Sequence, residues 1–116
     1  MKNNEYVKLL NASKVGAKDF GINTEEKALL EAVAYFQCVE LPLTVTELMN
    51  LSHLGSPATL HRRLDTLLIY GLVNLEYEDG NRRTKYVMLT EKSEQYFSLM
   101  DDYMKRLNGS RKGGKV

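Results

Sequence analysis

The hydrophobic pattern of this chain runs at helical period, switches to strand period after Gly71, and returns to helical period after Thr90. In the first stretch Leu29, Val33 and Phe36 recur at helical spacing. Asn23 is suited to cap them, with Glu26 three residues on, and Pro42 forbids continuation, so a mostly buried helix is predicted here. Thr44-Val45-Thr46-Glu47 has the form of a capping box, with Leu43 and Leu48 placed as a staple, and starts a short helix to about Leu51. Ser52-His53-Leu54-Gly55 then makes a tight turn. Ser56-Pro57 is an N-cap followed by proline at the first helical position, and Leu60, Leu64, Leu67 and Leu68 form one stripe that ends before Gly71. Two helices joined by so short a turn make a helix-turn-helix.

Beyond Gly71, residues 72–77 and 84–89 are rich in branched and aromatic side chains, and Glu78-Asp79-Gly80-Asn81 supplies turn chemistry, which predicts a β-hairpin. Thr90 can cap a last helix in which Tyr96, Met100, Tyr103 and Leu107 share a face, ending at Asn108-Gly109. Tyr96, Met100, Tyr103 and Met104 read as core or dimer interface, not as a cofactor box. The expected organisation is an arm over residues 1–23 with a short helix at 5–10, a domain over 24–107 with flanking helices for dimerisation, and a basic tail over 108–116.

Composition adds constraints. The 116 residues suit one domain, and 16 basic against 15 acidic side chains leave a net charge of +1, so any polyanion-binding surface must come from local clustering. The single cysteine, Cys38, precludes an internal disulfide framework and fits a reducing compartment; between Phe36 and Val39 it is expected to be buried as a small hydrophobe. No apolar run approaches the roughly 18 residues that span a bilayer, and Met1-Lys2-Asn3-Asn4-Glu5 is not followed by a signal-peptide core, so a cytoplasmic location is expected. There is no glycine-rich phosphate loop, no cysteine with a plausible histidine partner and no metal-ligand cluster. The chain is not expected to be an enzyme, nor to carry a cofactor or metal.

The element order resembles the winged helix, and residues 44–97 are similar to the MarR family of bacterial transcription regulators. The resemblance is carried by Thr44-Val45-Thr46-Glu47-Leu48, residues 59–67, Gly71-Leu72-Val73, the charged tip Asp79-Gly80-Asn81-Arg82-Arg83, and Leu89-Thr90-Glu91-Lys92. It implies an α+β, mostly α fold: a winged helix-turn-helix with a three-helix core and a two-stranded wing, plus a long C-terminal helix. It further implies that the second helix of the motif lies in the major groove of double-stranded DNA, that the wing reaches the adjacent minor groove or backbone, and that outer helices form a homodimer. The sequence departs from the family pattern at Asn81, where the wing commonly has arginine, and at Ser93, where glycine is common.

At 100° per residue the leucine stripe of residues 56–70 faces one way, and Ala58, Thr59, Arg62 and Thr66 face the other. Ser56 and Thr59 lie near the helix N-terminus, where N–H groups favour phosphate. Arg62 can give two hydrogen bonds to guanine, or can contact phosphate. Arg63, at the stripe's edge, is expected on phosphate or packed along its stem. His61 can pair with Asp65, which alternatively holds a wing arginine as the resemblance suggests, and His53 reads as surface or half-buried. Arg82, Arg83 and Lys85 put three positive charges in four residues of the hairpin, although Glu76, Glu78 and Asp79 could simply pair with them across the strands. In the tail, Arg111, Lys112 and Lys115 read as solvated. A small-molecule effector is not indicated. The rival function is a protein-interaction module on the same scaffold, with Ile69 and Tyr70 as apolar anchors.

Overall fold

The computed structural model describes residue 4 and residues 20–113, those from 107 onward through the backbone alone. The helix expected at 5–10 and most of the arm lie outside the described residues. Helix α1 is Thr24–Cys38. The Asn23 side chain accepts from the Glu26 N–H at 2.8 Å and the Glu26 carboxylate from the Asn23 N–H at 2.9 Å, so the two ends of the capping box satisfy each other. Leu29, Leu30 and Val33 enter the core, but Glu31, Tyr35 and Cys38 are exposed. The helix is thus buried along one face, not over most of its surface. The expectation for Cys38 is corrected with it: seven residues after Glu31, it lies on the same outward side, whatever its sequence neighbours.

α1 stops short of Pro42 because Glu40 takes a left-handed conformation, φ 60°. The Leu41 N–H donates to the Phe36 carbonyl (2.9 Å) and the Glu40 N–H to that of Gln37 (3.1 Å), the paired bonds that close a helix around a residue usually glycine. Left-handed backbone costs an L-residue about 1–2 kcal/mol, part of which glycine returns as unfolded-chain entropy. Glu40→Gly is therefore expected to stabilise the protein by about 0.5–1 kcal/mol, seen as a rise of a few degrees in Tm; a lower Tm would refute this account of the cap.

Helix α2, Val45–Met49, starts from the predicted capping box: the Thr44 Oγ1 accepts from the Glu47 N–H, and the Glu47 carboxylate accepts from the Thr44 N–H. It ends two residues earlier than expected, and a 3₁₀ turn, Ser52–Leu54, leads to Gly55 at φ 148°. Helix α3 is Pro57–Ile69, capped by Ser56 and closed at Gly71 with φ 69°, as its sequence requires.

Strands β1 (Val73–Glu78) and β2 (Asn81–Leu89) are antiparallel, in register from Val73 opposite Leu89 to Tyr77 opposite Lys85. The register then shifts so that Glu78 faces Asn81. β2 therefore starts at Asn81, not Thr84, and residues 82–84 bulge outward with no partners on β1. The sheet is tied back to the helices where the Val87 N–H donates to the Leu43 carbonyl at 2.8 Å and Thr44 bridges Tyr86.

Helix α4, Glu91–Gly113, passes through Asn108-Gly109 instead of ending there, so the expected tail begins as helix. An interior glycine costs about 1 kcal/mol relative to alanine, which a helix already several turns long can absorb. At its start Thr90 and Ser93 cap one another, and the Ser93 hydroxyl also donates to the Thr90 carbonyl at 3.0 Å. The serine that stands where glycine is common is thus fully buried and fully satisfied. Lys92 and Thr90 reach back to the Tyr70 and Gly71 carbonyls (2.8 and 2.6 Å), holding α4 against the end of α3.

One core joins these elements: Leu29, Leu30 and Val33 of α1, Leu48 of α2, Leu60, Leu64 and Leu67 of α3, Leu72, Val73 and Val87 of the hairpin, and Tyr96 of α4. Three helices carrying a two-stranded wing, followed by a long helix, constitute the winged helix-turn-helix expected from the sequence.

Candidate nucleic-acid interface

The outward face of α3 is organised by its own cap. The Ser56 hydroxyl accepts from the Thr59 N–H (3.3 Å) and donates to the Thr59 Oγ1 (3.0 Å), and the Arg62 guanidinium donates to that same oxygen at 3.4 Å. One turn further, the Thr66 hydroxyl is turned back onto the Arg62 carbonyl at 3.2 Å. Ser56, Ala58 and Arg62 are exposed, with Thr59 and Thr66 half-buried beside them. A polar ridge of hydroxyls thus leads to one exposed guanidinium.

Arg63 has a different task. Its Nη1 donates to the Leu54 carbonyl at 2.7 Å, crossing the turn between the motif's two helices. A side chain at Gly55 would meet Thr59 and this guanidinium in ordinary contact, 3.4 and 3.5 Å from the added carbon, but its φ of 148° would be strained. Arg63 therefore braces the turn that presents α3, and it is half-buried where Arg62 is exposed.

Among the described residues the charged pairs open to the sequence are not formed. The ion pairs are Lys27 with Glu31 and Lys105 with Asp101, so neither His61 with Asp65 nor the wing's acids with its arginines come within bonding range. Lys85 instead lies over the Tyr77 ring, 5.7 Å from its centre. Arg82, Arg83 and Lys85 are all exposed. Asn81, standing where the family has arginine, shapes the bulge: its Oδ1 accepts from the Arg83 N–H at 2.9 Å and its Nδ2 donates to the Thr84 hydroxyl at 3.2 Å.

The structure adds to the site residues that the sequence marked only for helix capping. Arg83, Thr84 and Lys85 line an open cleft of about 340 Å³ with Thr44, Val45 and Thr46 at the start of α2. Glu26 of α1 likewise lines a cleft of about 190 Å³ with Thr59, Arg62, Arg63 and Thr66. Neither neighbour has a local sequence signal for this place, because each arrives through packing across many residues. Among the described residues no group of three or more His, Cys, Asp or Glu side chains could hold a metal, and no helix is long and apolar enough to cross a membrane.

Comparison of the sequence with protein-family models and with curated proteins gives no match. Comparison of the fold with solved structures does. A Staphylococcus aureus MepR–DNA complex superposes with a TM-score of 0.64 at 17% identity, covering 95% of this chain and 89% of that one. The transcriptional regulator Tm0710 of Thermotoga maritima gives 0.66 at 18%, covering 96% and 78%. A MarR-like transcriptional regulator from the same organism, Tm0816, gives 0.62 at 28% over 77% of this chain and 60% of its own length. The fold is that of the MarR-like winged-helix regulators.

Proposed function

We propose that this protein is a cytoplasmic transcription regulator that binds double-stranded DNA sequence-specifically, with residues 56–70 in the major groove and the wing, residues 78–85, on the adjacent backbone or minor groove. The observation that carries the proposal is the uncovered polar face of α3, where Ser56, Ala58, Thr59, Arg62 and Thr66 lie together. Arg82 and Arg83 support it from the wing, free of ion pairs among the described residues. A MepR structure of the same fold is a DNA complex. Chemically, α3 offers a guanidinium for the acceptor pair of guanine and hydroxyls for phosphate, while Arg63 stiffens the turn behind them. No step in this function calls for an enzyme's machinery or a cofactor.

The working form is a homodimer, its two recognition helices about 34 Å apart, one turn of B-DNA. Exposed Leu99 and Met104 on α4 supply apolar surface for such a contact. Selection of bound fragments from random duplex DNA is expected to return a two-fold related site. Its affinity should fall with salt at a logarithmic slope of at least about 3, as several phosphates shed counterions. Failure to enrich any sequence would overturn the proposal, and a monomer at micromolar concentration by light scattering would overturn the dimer.

Ile69, 81% exposed at the end of α3, favours a second reading in which this end of the helix docks on a protein partner. Affinity for such a partner would be insensitive to salt and lost in Ile69→Asp.

A further inference from the structure

The cations of the wing part to two sides of it. Arg82 lines a depression at the tip together with Glu78 and Asp79. Arg83 and Lys85 line the cleft against the start of α2, where the other contributors are Thr44, Val45, Thr46 and Thr84 and no carboxylate takes part. Glu47, one residue beyond Thr46 on α2, is engaged by the Thr44 N–H and hydroxyl at 2.9 and 3.0 Å. The exposed Thr46 side chain has no such engagement among the described residues. Two positive charges, a free hydroxyl and no acid make this cleft selective for an oxyanion.

The cleft is also held in place. The Leu43–Val87 hydrogen bond and the Thr44–Tyr86 bridge fix β2 beside α2. The bulge at residues 82–84, shaped by Asn81, sets where Arg83 leaves the strand. From this geometry we propose that the cleft is a clamp for one phosphodiester of the bound duplex, gripped by Arg83 and Lys85 from the wing and by the Thr46 hydroxyl from α2, while Arg82 alone extends from the tip. The proposal rests on duplex DNA being the ligand, and it divides labour within the wing: Arg83 and Lys85 fix the register of the protein on the backbone, and Arg82 is the side chain available to the neighbouring minor groove.

The test is a double-mutant cycle on binding to the selected duplex, in full-length protein whose melting temperature is checked for each variant. Thr46→Val and Lys85→Gln are each expected to weaken binding about 10- to 100-fold without altering base preference, as loss of a charge-assisted hydrogen bond implies. Lys85→Gln should also reduce the salt slope by about 1. Together they should weaken binding by clearly less than the product of the single effects, because both act on the same phosphate. Thr46→Val with Arg82→Gln should instead multiply. Independent action of Thr46 and Lys85, or no effect of Thr46→Val, would overturn the clamp while leaving DNA binding intact; a wild-type protein that binds no duplex would overturn the functional reading and the clamp with it. Titration with inorganic phosphate, against chloride at equal ionic strength, tests the other source of the same chemistry. Saturation at Thr46 and Lys85 by millimolar phosphate would make this a free-anion site and would likewise overturn the clamp.

Discussion

Arg62→Ala is expected to lower affinity for the selected site about 10- to 100-fold and to remove the base preference at one position of each half-site, the amount that a bidentate contact to a base contributes. The guanidinium is exposed and, among the described residues, steadied only by the Thr59 hydroxyl at 3.4 Å, so alanine removes it without disturbing the core. The fold should therefore be retained, and binding to unselected DNA should weaken far less than binding to the selected site. Repeating the fragment selection with the variant measures this directly. Recovery of an unchanged consensus with uniformly weaker binding would place Arg62 on phosphate instead of a base.

Leu60→Ala has the largest expected effect on stability. Leu60 is fully buried on the inner side of α3, in the cluster shared with α1, α2, the hairpin and α4. Truncation loses the transfer free energy of the side chain and leaves a cavity, together about 3 kcal/mol, against a total of about 5–15 kcal/mol for a domain of ordinary stability. The midpoint of urea unfolding should fall accordingly. Ile69→Ala, on the same helix but 81% exposed, should stay within about 0.5 kcal/mol of the parent. Equal losses for the two would mean that α3 does not dock by its leucine face.

Much of the fold is legible in the sequence. Leucines at 60, 64 and 67 recur at helical spacing, and all three are buried. Asn23, Thr44 and Ser56 were expected to start helices, and each accepts an N–H three residues on. Helix ends were harder to place. α1 ends through a glutamate in a glycine's conformation, closed by paired backbone bonds, and α4 runs through an Asn-Gly that signals a stop, a preference of about 1 kcal/mol that a long helix absorbs.

The candidate site was legible in part. The exposed face of α3 followed from periodicity, but the separate tasks of adjacent arginines did not. Arg62 and Arg63 are equal in composition and one position apart, and only the path of the turn puts the Leu54 carbonyl 2.7 Å from one of them. The wing is similar: its charges are plain in the sequence, whereas the cleft that gathers Arg83 and Lys85 with Thr46, apart from Arg82 at the tip, is not.

What the sequence determined by itself is what is settled within a turn of chain: where helices begin, which face of each is apolar, and where the hairpin reverses. Caps and amphipathic stripes act over three or four residues, so the local sequence contains both partners of every interaction that matters. Tertiary structure alone decided the brace of Arg63 and the meeting of Thr46 with the wing. Each depends on a partner or a covering surface brought in from elsewhere, as Val87 is brought to Leu43 and Leu89 to Gln37, and no local preference specifies such a neighbour.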